Sequence, residues 1–130
     1  MVIIMSTSDH FVETKDEVIY WHNKTGSITT DEALELSDQI KNLVETGDYT
    51  RLIVDNSQMS GVWSSEVDKI WIDLMKYITQ YIPKTATICE NVINKLQVNY
   101  LASQSVSPDR MKAFTVSEKE EFERFIKSDD

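Results

Sequence analysis

Residues 51–78, RLIVDNSQMSGVWSSEVDKIWIDLMKYI, leave the chain few ways to fold. Leu52-Ile53-Val54 is an uninterrupted apolar run, the pattern of a strand covered on both faces of a sheet. A polar turn follows, with Ser64 and Ser65 side by side. Val67, Ile70, Trp71, Leu74 and Ile78 then recur at helical spacing. A buried strand that leads straight into an amphipathic helix is half of a β-α-β unit, and such units build parallel sheets. The junction also collects the unpaired N–H groups of a helix N-terminus at one exposed point, where an anion site or a switch could sit.

The rest of the chain extends this alternation. Residues 10–14 and 18–22 are β-rich runs flanking Lys15-Asp16-Glu17, which predicts an antiparallel hairpin. Residues 1–5 either extend its first strand or pack at an edge. Thr29 and Glu32 have capping-box spacing and open a helix with Ala33, Leu36, Ile40, Leu43 and Val44 inward, stopped at Gly47. Pro83 ends the second helix, and Thr85-Ala86-Thr87-Ile88-Cys89 is the next strand. A third helix with weaker periodicity spans about 92–102, and Pro108 marks the loop after it. Residues 111–116 form a last strand. Ser117 and Glu120, again at capping-box spacing, open a final helix with Phe122, Phe125 and Ile126 inward. The order β-β-α-β-α-β-α-β-α predicts one α/β domain over residues 1–130, a mixed, mostly parallel sheet of about five strands covered by about four helices.

Charge narrows the partners. A net charge of −9, with basic residues that never form a run, argues against nucleic acid and against an anionic membrane surface. No apolar run is long enough to span a bilayer, and the stretch MVIIMSTSDH lacks the basic segment of a signal peptide. Cys89 is the only cysteine, so no internal disulfide forms, which fits a reducing compartment. A cytoplasmic location is the expectation.

Few residues carry chemistry of their own. His10 and His22 are too few and too far apart for a metal site, and no cysteine–histidine spacing of the zinc type occurs. Gly61-Val62-Trp63-Ser64 does not supply the Gly-x-Ser-x-Gly nucleophile elbow, and no glycine-rich phosphate or dinucleotide loop is present. Neither catalysis, a cofactor nor a metal is expected. Ser64 and Ser65 suit helix capping, while Glu66 and Asp68 complement the helix dipole and repel an anion there. Trp71 lies on the apolar stripe and belongs to the core. Trp63 sits in the turn, where it staples the helix start or lines a shallow pocket with Met59, Val62 and Met75. Cys89 ends a buried-looking strand as a small apolar filler. Tyr77, Tyr81 and Ile82, near the end of the second helix, are expected on the surface as a patch for a homodimer.

Four local features, in this order, resemble one family. They are Gly26-Ser27-Ile28-Thr29-Thr30-Asp31 at the turn into the first helix, and Gly61-Val62-Trp63 followed by Lys69-Ile70-Trp71-Ile72-Asp73-Leu74. The third is Thr85-Ala86-Thr87-Ile88-Cys89, and the last is the strand 111–116 with the acidic-aromatic helix 117–126. Over about residues 10–127 the chain resembles the SpoIIAA-like (STAS-type) fold of anti-sigma factor antagonists, and most of all its small stand-alone bacterial branch, the STAS/SEC14-like proteins. Anti-sigma factor antagonists carry an Asp-Ser-Ser-Gly turn before the second helix, whose first serine is phosphorylated by a partner kinase. Without a gap, Trp63, Ser64, Ser65 and Glu66 fall on those four positions. Both serines are kept; a ring replaces the aspartate and a carboxylate replaces the glycine. The resemblance implies a non-enzymatic regulatory or binding module that contacts a protein partner around the turn 61–66, with Ser64 and Ser65 as its phosphorylation or partner site. Its lipid-binding relatives imply an alternative: a carrier or sensor of a small apolar ligand held by Met59, Val62, Trp63 and Met75.

Overall fold

The computed structural model describes residues 2–5, 9–61, 63–104 and 110–128; Val62 and Pro108 lie outside them. The described elements, in order, are β1 (Val2–Met5), β2 (His10–Lys15), β3 (Val18–Asn23), α1 (Thr30–Thr46), β4 (Arg51–Asn56), α2 (Ser65–Ile78), β5 (Lys84–Cys89), α3 (Val92–Ser103), β6 (Met111–Thr115) and α4 (Lys119–Lys127). This is the expected alternation with one strand added. β1 does not prolong the hairpin; it pairs antiparallel with β2, Val2 opposite Thr14, and makes a sixth, edge strand.

The sheet runs β1-β2-β3-β4-β5-β6 in chain order, antiparallel over the first three strands and parallel from β3 onward. Two residues close the β2–β3 hairpin, with Lys15 opposite Val18 and Asp16 at φ +56° supplying the left-handed turn. Because parallel crossovers are right-handed and each strand lies beside its predecessor, α1, α2 and α3 all fall on one face of the sheet. α1 packs on α2 and α2 on α3, while α4 covers β5 and β6, and Phe114 meets Phe122 and Phe125 at ring-centroid distances of 5.9 and 5.7 Å.

Strand alternation decides which side chains enter the main core. Val12, Ile19, Trp21, Leu52 and Val54 point under the helices and meet Leu36, Ile40, Val67, Trp71, Leu74 and Ile78, all essentially fully buried. Each large apolar side chain placed there contributes roughly 1.5–3 kcal/mol. Local signals end the helices as expected. Thr29 and Glu32 form a reciprocal capping box at 3.1 Å in both directions, and the Gly47 N–H closes α1 on the Leu43 carbonyl.

Two expectations are corrected. The last capping box is not Ser117–Glu120 but Thr115–Glu118, across a short 3-10 turn over Val116–Glu118. The Thr115 N–H donates to Glu118 Oε1 at 3.0 Å, and Lys95 Nζ reaches the same oxygen at 2.7 Å. The box thus starts two residues earlier than local spacing implies, and its acidic member Glu118 is the one that also has a tertiary partner, Lys95. Ile82 is 1% exposed and belongs to the core, so it cannot serve the surface patch expected with Tyr77 and Tyr81. Tyr77 is only half-buried, its hydroxyl donating to Glu45, whose carboxylate holds the phenol above its ordinary range.

Candidate functional site

The turn after β4 stands at the carboxyl end of the parallel strands, the edge of an α/β sheet where ligands and partners are most often received. Its course follows from a few residues. Asp55 Oδ1 accepts from the Ser57 N–H and Oγ at 2.9 and 2.5 Å, starting the bend. Gly61 takes φ +76°, a conformation costly to other residues, and a side chain there would meet nothing within 4 Å. The segment is also tied to the turn before α1: the Gly26 N–H donates to the Ser60 carbonyl at 2.7 Å and the Ser60 N–H to the Lys24 carbonyl at 3.1 Å. Thr25, Gly26, Ser27, Ile28, Ser60, Gly61, Trp63 and Ser64 line the open cleft between these two turns.

Ser64 is exposed and is the N-cap of α2; its Oγ accepts from the Val67 N–H at 3.2 Å. Ser65 is exposed in the first helical turn, and its hydroxyl donates to Glu66 at 3.4 Å. Ser64 therefore stands on the cleft and Ser65 next to it, with Glu66 and Asp68 in the same helical turn. Burial alone holds the Asp68 carboxyl above its ordinary range.

The apolar residues expected beside them are distributed differently. Met59, Trp63 and Met75 are 2%, 6% and 9% exposed and are members of the core. Trp63 packs edge-on against Trp71 at 5.5 Å, and Trp71 against Trp21 at 4.8 Å, so all three tryptophans form one stack under the turn. Aromatic pairs of this geometry add about 0.5–1.5 kcal/mol each beyond their burial. Trp63 and Met75 line a small cavity between α2, α3 and the sheet; among the described residues, Met59 lines neither it nor the cleft. The cavity measures about 30 Å³, the space of about one water and far below the roughly 150 Å³ that admits benzene. In this conformation it has no room for a lipid chain.

A buried polar chain lies beneath the turns, and nothing in the sequence singled it out. His10 Nδ1 donates to Asn23 Oδ1 at 2.9 Å, and Asn23 Nδ2 to Asn56 Oδ1 at 2.9 Å, each residue 2% exposed. The ring of Trp63 lies 6.2 Å from that of His10. This chain ties together β2, β3 and β4 where the two turns leave the sheet. The signal for it is polar residues at strand positions of inward parity, Asn23 two residues after Trp21 and Asn56 two after Val54. On the opposite face, His22 is taken up by Glu13 at 3.0 Å and Asp55 at 3.4 Å, with Phe11 stacked on its ring at 4.5 Å. Cys89 is fully buried, and desolvation pushes its thiol up to about 12, so it stays protonated and inert near neutrality. Among the described residues, no helix is long and apolar enough to cross a membrane.

Compared with protein-family models and with curated proteins, the sequence has no significant match. Its structure is similar to that of the anti-sigma factor antagonist SpoIIAA in its unphosphorylated form, with a TM-score of 0.63 and 11% sequence identity over 88% of this chain and 96% of that one. The chain has the SpoIIAA-like fold, as the order of its sequence features implied.

Proposed function

We propose that this SpoIIAA-like chain is a regulatory module that acts by binding rather than by catalysis, and that it receives a protein partner on the turn 61–66. One observation carries the reading. Ser64 stands exposed on the open cleft with Ser65 exposed beside it, while Met59, Trp63 and Met75 are withdrawn into the core. The surface left to a partner is thus small, hydroxylated and backbone-rich, held rigidly by the tryptophan stack and the His10–Asn23–Asn56 chain. One solved structure similar to this chain is that of an anti-sigma factor antagonist, which supports a role in protein contacts. Phosphorylation of Ser64 belongs to the same reading: it would set a dianion beside Glu66 and Asp68 and reverse the fit of a partner docked on the neutral turn.

Site-specific photo-crosslinking in cells tests this. A photoreactive residue at Ser65 is expected to trap a discrete protein adduct, whereas the same probe at exposed Asp38 on α1 is not. Adducts that are absent from position 65, or identical at 65 and 38, would remove the reading.

A further inference from the structure

We propose that the outward face of α3 is the contact surface of a two-fold homodimer. α3 carries apolar residues on both faces: Leu101 and Ala102 are buried, yet its outward face is apolar as well. Its exposed positions are Val92, Ile93, Leu96, Tyr100 and Ser103, the first four 59%, 71%, 62% and 63% exposed, while a polar residue, Asn94, is buried. A solvated helix turns its charged side outward. Here the only charged residue of the helix, Lys95, is drawn aside to Glu118 at 2.7 Å. In a chain that is 27% charged, a helix face of three aliphatic side chains and a tyrosine, with its one cation neutralised, has the composition of an interface centre.

The spacing of the stripe points to a second copy of this chain as the occupant. Val92 and Tyr100 lie four residues either side of Leu96, so these three positions are symmetric about that leucine, with Ile93 to one side. Two α3 helices crossing antiparallel on a two-fold axis at Leu96 set Leu96 against Leu96 and Val92 of each copy against Tyr100 of the other. That self-complementarity is what an isologous contact requires. The stripe is one helix face wide, so pairing two copies buries an area at the low end of what a specific interface needs. A contact of that size makes a reversible, concentration-dependent dimer rather than an obligate one. Charge gives the pairing a signature. Each copy carries −9, none of it on the stripe, so screening by salt removes repulsion and leaves the apolar contact intact. A partner held by opposite charge would show the reverse dependence. The surface uses none of the residues of the turn 61–66, and stands or falls independently of the reading above.

Sedimentation velocity of the whole chain decides the matter. From about 5 to about 500 µM the protein is expected to shift from monomer to dimer, with a Kd that tightens severalfold between about 0.05 and about 0.5 M NaCl. Leu96→Glu brings two carboxylates together on the axis and weakens association more than tenfold, whereas Leu34→Glu, at an α1 site 52% exposed, leaves the Kd unchanged. Tyr100→Ser gives a second, uncharged weakening. Under mild oxidation Leu96→Cys cross-links to itself, and does so faster than Ile93→Cys; the buried Cys89 does not compete. A monomer at every concentration, a Kd indifferent to Leu96→Glu, a dimer loosened by salt, or a Leu96→Cys chain that fails to cross-link would each overturn the proposal. Thermal melts equal to wild type confirm that the variants, all at exposed positions, are folded when measured.

Discussion

Replacing Ser64 separates its two roles, because capping and partner recognition make different demands on the same atom. The Oγ accepts one hydrogen bond from the Val67 N–H at 3.2 Å, and removing such a cap costs ~1 kcal/mol. With an unfolding entropy of roughly 2.1 cal/mol/K per residue, a chain of 130 residues has about 0.27 kcal/mol/K at its transition, so Ser64→Ala lowers Tm by about 4 °C. Ser64→Asp behaves otherwise. Aspartate caps as well as serine, and its charge gains about 0.3–1 kcal/mol from the helix dipole. Glu66 and Asp68 in the same turn oppose that gain. The net change is within about 0.5 kcal/mol, or about 2 °C. Calorimetry or a circular-dichroism melt resolves the two variants. The functional readout then runs the other way: Ser64→Asp, folded and stable, loses the adduct trapped by the photoreactive residue at position 65, while Ser64→Ala, destabilised but neutral, retains it. A Ser64→Ala melt within 1 °C of wild type, or a Ser64→Asp loss as large as that of alanine, would refute the capping argument. Retention of the adduct by Ser64→Asp would refute the switch.

Three further outcomes test other parts of the structure. Gly61→Ala costs about 1–2 kcal/mol through its φ of +76° alone, since its side chain meets open space, and Gly61→Asn, which tolerates that conformation, costs less; equal losses in urea titrations would contradict this. Glu118 is held down to about 2, first by the hydrogen bond from Lys95 and next by the Thr115 N–H, so its contribution is complete above the ordinary carboxylate value of 4.5 and lost as pH falls toward 2. Glu118→Gln should therefore flatten that part of the acid limb of stability, and an unchanged limb in pH-dependent melts would show that the contact carries no weight. Ellman's reagent should leave Cys89 unmodified at pH 8 in native buffer and modify it fully in denaturant, because burial keeps the thiol protonated up to about 12; rapid native reaction would contradict its placement.

The candidate site was legible in part. Ser64 reads as a cap from its position before Val67, Ile70 and Trp71, and the structure places the cap there. Trp63 was ambiguous between pocket and staple, because a residue in a turn has no periodicity to say which way it faces. Its burial is settled by Trp71 and His10, which reach it from a helix and from a distant strand. Asn23 and Asn56 stand at inward-parity positions, but no local spacing pairs one with the other across 33 residues. The third helix has weak periodicity because its apolar residues lie on two faces, Leu101 and Ala102 inward and Val92, Ile93, Leu96 and Tyr100 outward.

What the chain alone determined is the kind and order of its elements: a hairpin, then strands alternating with helices, capped at Thr29, Gly47 and Ser64. Those features are written in spacings of two to four residues, which the local backbone geometry reads directly. The tertiary structure decided the rest: the sixth strand, the box drawn to Thr115 and Glu118 by Lys95, the tryptophan stack that withdraws Trp63 from the surface, and the polar chain that braces the turns. Each depends on groups brought together from far apart in the chain, where packing and buried hydrogen bonds outweigh any local preference.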